Sequence, residues 1–443
     1  MTELVGSVPS LKKLGLWTTT SLVIGNMIGA GIFLIPATLA AYGGISLIGW
    51  LLSATGALLI ATVFSRLSRL VPHINGGPYA FARRGFGDFA GFLIAWGYWI
   101  SVWTSNAAIA VSFVSSMSTF FPALNGNPAP SILTGLGAIW LLTWVNSRGV
   151  VASGRMQLVT TILKLIPLLV IALGGLFFIR FRNFVPFNIS SQSDFSAITT
   201  TATTTFFAFL GIECATIPAK SVSNPEKTIP RATIIGTLIT ALVYMLGTFC
   251  LMGIIAPKDL QLSVTPFADA ASRIWGNSAR YWVSAGAAVA TFGTLNGWLL
   301  IQGQLPAAVA ADQLFPKVFS RENKKGVPAA GMIIGSLLVS GLMMMNYTKG
   351  LVERFRFLIL LSTLTCLVPY LFSVAAYVII RLENKSSDRK GFVSSLVLAA
   401  AAFIFGFWVI AGSGEETVYW GFLALLTGIP FYLWVTRNKK HDH

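Results

Sequence analysis

The sequence predicts an all-α membrane protein of twelve transmembrane helices, the first and sixth of them discontinuous. Three observations predict this. The chain is 55% hydrophobic and only 10% charged, with a mean hydropathy of +0.74, whereas a soluble domain carries about a quarter charged residues. Apolar runs of bilayer-spanning length recur along the whole chain. Two of those runs carry the same interruption, a glycine followed at equal offset by a proline: Gly29 to Pro36 and Gly211 to Pro218.

The first run, Leu14 to Tyr42, contains the stretch Gly25–Pro36 with Gly25, Gly29 and Gly31 inside it. Glycine is a poor helix former, and in lipid any backbone group it frees needs an internal partner. Alone, this stretch fits two structures. One is close helix packing through small residues; the other is a broken helix whose free N–H groups bind a carboxylate near mid-membrane. The sixth run decides between them. Phe207–Pro218 repeats the pattern and adds Glu213, an ionisable group where charge is costly and usually functional. Paired interruptions in corresponding halves of a chain point to the binding site of a transporter.

Bounded by Pro, Gly and charge, the runs fall at 14–42, 46–71, 87–121, 131–147, 156–179 and 196–217, then at 231–255, 280–310, 328–346, 356–381, 392–411 and 417–436. Twelve crossings put both termini on one side. Of the 31 lysines and arginines, 22 fall in connections or termini on that side and 8 on the other. The positive-inside rule therefore places both termini, 1–13 and 437–443, in the cytoplasm. The formal charge of +16 is thus a topology signal, and nucleic acid is not an expected partner.

The remaining cation, Lys164, lies within the fifth run, too central to snorkel easily, and is expected to face the bundle interior. Cys214, Cys250 and Cys366 sit in separate apolar runs and predict no disulfide framework. His73, His441 and His443 offer no zinc site or triad, so neither a metal, a cofactor nor catalysis is expected. No cleavable signal peptide is expected, because Leu14 opens a full span.

The motifs Gly29-Ala30-Gly31-Ile32-Phe33, His73–Phe81 and Asn224–Ala232 make the chain resemble the amino acid–polyamine–organocation transporter superfamily. Within it the chain is most similar to the basic amino acid/polyamine antiporters of arginine/agmatine type. The resemblance implies a leucine-transporter-like fold: inverted five-helix repeats over 14–179 and 196–381, with two further helices over 392–436. It also implies a bacterial inner-membrane location. It assigns the substrate carboxylate to Ala30, Gly31 and Ile32, and side-chain contacts to Asn106 and Ser362, with Ser101, Val102 and Ile109 on the same wall. Met27 and Leu210, in the two breaks, complete the expected binding set. Trp298 matches the tryptophan that stacks on a cationic head, and Tyr98, Tyr370 and Glu213 match an inner gate. For Tyr98, simple packing remains an equal alternative.

Three departures qualify this resemblance. Ala30 replaces a serine, so one hydroxyl contact is missing. Phe207 replaces a gating tryptophan and is the weaker cation–π partner. Lys164 replaces a small apolar residue; in other members a lysine here occupies the place of a sodium ion, which argues against sodium coupling. Lys164 and Glu213 are therefore the candidates for proton coupling, with a permanently charged brace as the alternative for Lys164. A second cation near Lys164 would be repelled, which tilts the expected substrate toward neutral or mixed amino acids.

The expected function is secondary active transport, an antiporter exchanging an amino acid for a related amino acid or amine by alternating access. A proton-coupled symporter is the alternative, and a membrane-embedded enzyme or sensor a remote one. Expected partners are the small-molecule substrate, protons and lipid, with a homodimer left open.

Overall fold

The computed structural model describes residues 14–72, 76–148, 151–217, 219, 222–345, 350–383 and 389–441. The expected cytoplasmic N-terminus 1–13, the motif residues His73–Asn75, Pro218, and the loop cations Lys220, Lys349 and Lys385 lie outside them.

Apolar composition sets the architecture. Among the described residues the chain is helical, its one bridge being the parallel pairing of Leu14 with Val222. Eleven helices among the described residues are long and apolar enough to cross a membrane. The ninth expected run, 328–346, forms Ala329–Met345, a shorter apolar helix of 17 residues. The third run is shorter than expected: its helix, Asp88–Met117, stops before the 118–121 turn. The last run divides into Glu415–Leu426 and Gly428–His441. Gly428 and Pro430 explain that division, since Pro430 lacks the N–H that would continue the ladder.

Burial sorts the helices into centre and periphery. The apolar window of the Leu16–Leu39 segment is 94% buried, against 28% for Gly391–Ala411 and 22% for Glu415–Arg437. The first segment therefore lies inside the bundle while the last two present leucine, phenylalanine and tryptophan outward. Against the first segment stand the third helix Asp88–Met117, the eighth Asn277–Ala311 and the tenth Leu351–Glu383, the third packing on both of the others. Ser223 N–H donates to Leu14 O at 2.9 Å, so the start of the first segment is tied to the chain just beyond the sixth.

Candidate substrate site

The first segment is helical over Leu16–Met27, leaves the helix at Ile28 (φ −73°, ψ 93°) and Gly29, and resumes over Ala30–Leu39. Gly29 is required by proximity, since a Cβ there would stand 2.5 Å from Thr294 Cγ2. A helix end leaves four carbonyls without intrahelical partners. Here they are Gly25, Asn26, Met27 and Ile28, and each receives a side chain. Lys164 Nζ donates to Gly25 O at 2.6 Å and Ile28 O at 2.9 Å. Trp298 Nε1 donates to Asn26 O at 3.0 Å, and the Tyr244 hydroxyl to Met27 O at 2.5 Å. Lys164 also donates to Thr294 Oγ1 at 2.9 Å, and Thr294 in turn reaches Ile28 O at 3.1 Å. The negative pole of the break is thus sealed by groups from three other helices.

The positive pole is treated differently. The Ala30–Leu39 helix begins at Gly29 with no side-chain cap, so the amides of Ala30, Gly31 and Ile32 are its free donors. Opposite lies the sixth segment, helical over Asp194–Phe206, in a tighter 3-10 turn over Phe207–Phe209, extended at Leu210 and resumed at Ile212–Ala215. Gly211 has φ +110°, a conformation that L side chains rarely adopt.

Between the two breaks is a cavity of about 10 Å³ lined by Asn26, Met27, Ala30, Gly31, Phe207 and Trp298, with Ser105, Ile109, Leu210 and Thr294 completing the wall. Such a space holds about one water, so an amino acid enters only if the walls part. Phe207 closes one side, packed edge-on to Phe355 at 6.0 Å between centroids. On the other side Glu213 is fully buried, with the hydroxyls of Tyr98 and Tyr370 donating to its two oxygens. The Gly211 N–H adds a third donor at 3.2 Å. A buried carboxylate needs such company, and Tyr98 acts here as a specific donor from the third helix as well as a packed ring.

Seven expected residues, Met27, Ala30, Gly31, Ile109, Phe207, Leu210 and Trp298, meet at this cavity. Ile32, Ser101, Val102, Asn106 and Ser362 do not line it. Ser101 and Ser362 instead exchange hydroxyl-to-carbonyl bonds of 3.0 Å that join the third and tenth helices. Asn106 donates to Gln302 Oε1 at 2.8 Å. Ser105, one turn beyond Ser101, supplies the hydroxyl at the wall and bonds Ser362 Oγ at 2.5 Å. Lys164 stands behind the break, outside the wall.

The profile of the amino acid permease family matches residues 14–433. The chain belongs to this family. A cadaverine/lysine antiporter of Escherichia coli K12 is 33% identical over 442 residues, covering 98% of this chain and 96% of its own. An arginine/ornithine antiporter of Pseudomonas aeruginosa is 31% identical, covering 98% and 92%. A putrescine transporter of Escherichia coli is 30% identical, covering 95% of each. The group is therefore that of the basic amino acid and polyamine antiporters.

In this family member the sequence reading missed Tyr244, Thr294, Asn26 and Ser105. Thr294 stood in view, four residues before Trp298 and so on the same helical face. Asn26 is the most consequential of them. It lines the cavity, and among the described residues its buried Oδ1 has no hydrogen-bond donor.

Proposed function

We propose that the protein exchanges a basic amino acid for a related amino acid or amine, by alternating access to the cavity between the two broken segments. The observation that carries this reading is the asymmetry of the first break. Its four carbonyls are spent on Lys164, Trp298 and Tyr244, which leaves the amides at Ala30–Ile32 as the unspent pole beside the cavity. Free amides and a helix N-terminus favour a carboxylate, and Asn26 Oδ1 offers an acceptor for an ammonium group.

The tilt toward neutral substrates rested on repulsion from Lys164. Its ammonium faces backbone carbonyls behind the break rather than the cavity, which removes that objection. The relatives carry lysine, arginine, ornithine and diamines by name, which supports a basic substrate. In this reading Phe207 and Trp298 close over the substrate on one side, and Tyr98, Glu213 and Tyr370 on the other. The twelve helices form two inverted repeats, 14–179 and 196–381, followed by 392–436, with both termini in the cytoplasm.

The test is counterflow in proteoliposomes. Labelled lysine, arginine or ornithine should enter vesicles loaded with a basic amino acid or diamine and be nearly excluded from empty ones. Equal entry into empty vesicles under a proton gradient would replace exchange with proton symport.

A further inference from the structure

A second cavity, of about 360 Å³, opens at the expected cytoplasmic ends of the second helix Ser46–Leu70, the tenth and the eleventh Arg389–Ala411. Arg66, Arg69 and Arg381 converge on it, with Tyr377, Ser394 and Ser395 completing its polar wall. It shares no residue with the substrate cavity. The positive-inside bias accounts for arginines at this membrane face, but not for three of them around one hollow.

Among the described residues, no carboxylate forms an ion pair with any of the three. The nearby Glu383 is engaged by Arg84 at 2.6 Å. Arg69 and Arg381 lie in the last turns of their helices, where the carbonyl ends offset roughly half a charge each. Counting the described residues alone, about two positive charges remain uncompensated. Arg66 makes only long contacts, 3.4 Å to the Tyr377 hydroxyl and 3.5 Å to Ser395 Oγ, so its guanidinium fork is largely unused. Tyr377 and Ser395 are themselves bonded at 2.8 Å and hold that wall in place.

The surroundings select the class of anion. Within one helical turn of the cavity, the surface presents Leu382, Val393 and Val397 with relative exposures of 57%, 50% and 64%. A basic hollow bordered by outward-facing apolar side chains matches a lipid, its phosphate among the arginines and its acyl chains along the helices. A free phosphate would make no use of that apolar border.

We propose that Arg66, Arg69 and Arg381 form a site for the phosphodiester headgroup of an anionic phospholipid, with its acyl chains on the Val393–Val397 face of the eleventh helix. The test is native mass spectrometry of the purified full-length protein, titrated with phosphatidylglycerol, phosphatidylcholine or inorganic phosphate. Wild-type protein should retain phosphatidylglycerol, and R66Q/R69Q/R381Q should weaken its retention at least about tenfold, as expected for losing charge-assisted bonds. Phosphatidylcholine should bind weakly to both. If the triple variant does not stay monodisperse, R69Q and R381Q serve singly, each weakening retention several-fold. Unchanged retention in these variants overturns the site. Displacement of phosphatidylglycerol by millimolar inorganic phosphate overturns the lipid assignment and leaves an anion site.

Discussion

Lys164 brings three donors to three acceptors: Gly25 O, Ile28 O and Thr294 Oγ1. That is the full complement of an ammonium group, and it is the arrangement expected of a brace that holds the broken helix in shape. Each hydrogen bond from a charged group to a buried acceptor is worth about 1.5–3 kcal/mol. Thr294 remains near both carbonyls after Lys164 is removed, at 3.4 Å from Gly25 O and 3.1 Å from Ile28 O, so the loss is only partly compensated. Lys164→Met should therefore lower exchange and gradient-driven uptake together, by about tenfold or more at every external pH. Both are measured in proteoliposomes. Persistent exchange with loss of pH-dependent uptake would instead make Lys164 the coupling residue. The lysine was legible as a buried functional cation because lipid tolerates few others. Of its acceptors, Thr294 was not, being an ordinary residue 130 positions away.

At the scale of elements, the paired glycine–proline signals were readable because a broken helix in lipid needs residues that tolerate the break. The side chains that seal it were not, because Tyr244 and Asn26 leave no mark in local composition. The expected wall of the third helix holds at Ile109 but is off by one turn at the serine. Ser101 and Ser105 share a helical face, and only packing decides which of them reaches the cavity. The two breaks also lean on each other. A Cβ added at Gly31 would stand 3.0 Å from Ala208 Cβ and 3.3 Å from its Cα, tighter than ordinary contact. Gly31→Ala should push the Ala30 helix start away from the sixth segment and blunt its amide seat. Lysine affinity should fall about tenfold, the equivalent of one charge-assisted bond, while cadaverine, which has no carboxylate, should lose at most about twofold. Isothermal titration with both ligands measures the difference, and equal losses would place the carboxylate elsewhere.

For the whole molecule, the expected orientation makes the 122–130 and 412–416 connections extracellular. Ser413 is buried and bonded to Val409 O, so the exposed Glu416 is the better reporter there. Cysteines at Asn127 and Glu416 should react with an impermeant maleimide in intact cells, and one at Lys324 should not; the reverse pattern would invert the topology. In the proposed exchange cycle, the opposite face is closed by more than the Tyr98–Glu213–Tyr370 cluster. The short helix Pro78–Phe86 links the ends of two long ones. Tyr79 donates to Asp312, just past the eighth helix, and Arg84 pairs with Glu383 at the end of the tenth. Arg83 bridges Asp88 and Asp312 at 2.7 and 3.0 Å, but these ion pairs are partly exposed and contribute little. Tyr79 is 2% exposed. Burial first, then the Asp312 carboxylate, push the ionisation of its phenol upward, so it remains the donor. A bond to a carboxylate is roughly twice as strong as one to a neutral acceptor, so Asp312→Asn should weaken the closed inner face by about 1 kcal/mol, or about fivefold in population. Cys214 and Cys366 report this directly, being buried beside Glu213 and Tyr370 in the closed form. In inside-out vesicles carrying Cys250→Ser, Asp312→Asn should speed their maleimide labelling about fivefold, and saturating substrate should alter that rate. An unchanged rate in folded protein would mean that Tyr79 and Asp312 move together as one body, and that the inner face is held by Glu213 and its two tyrosines.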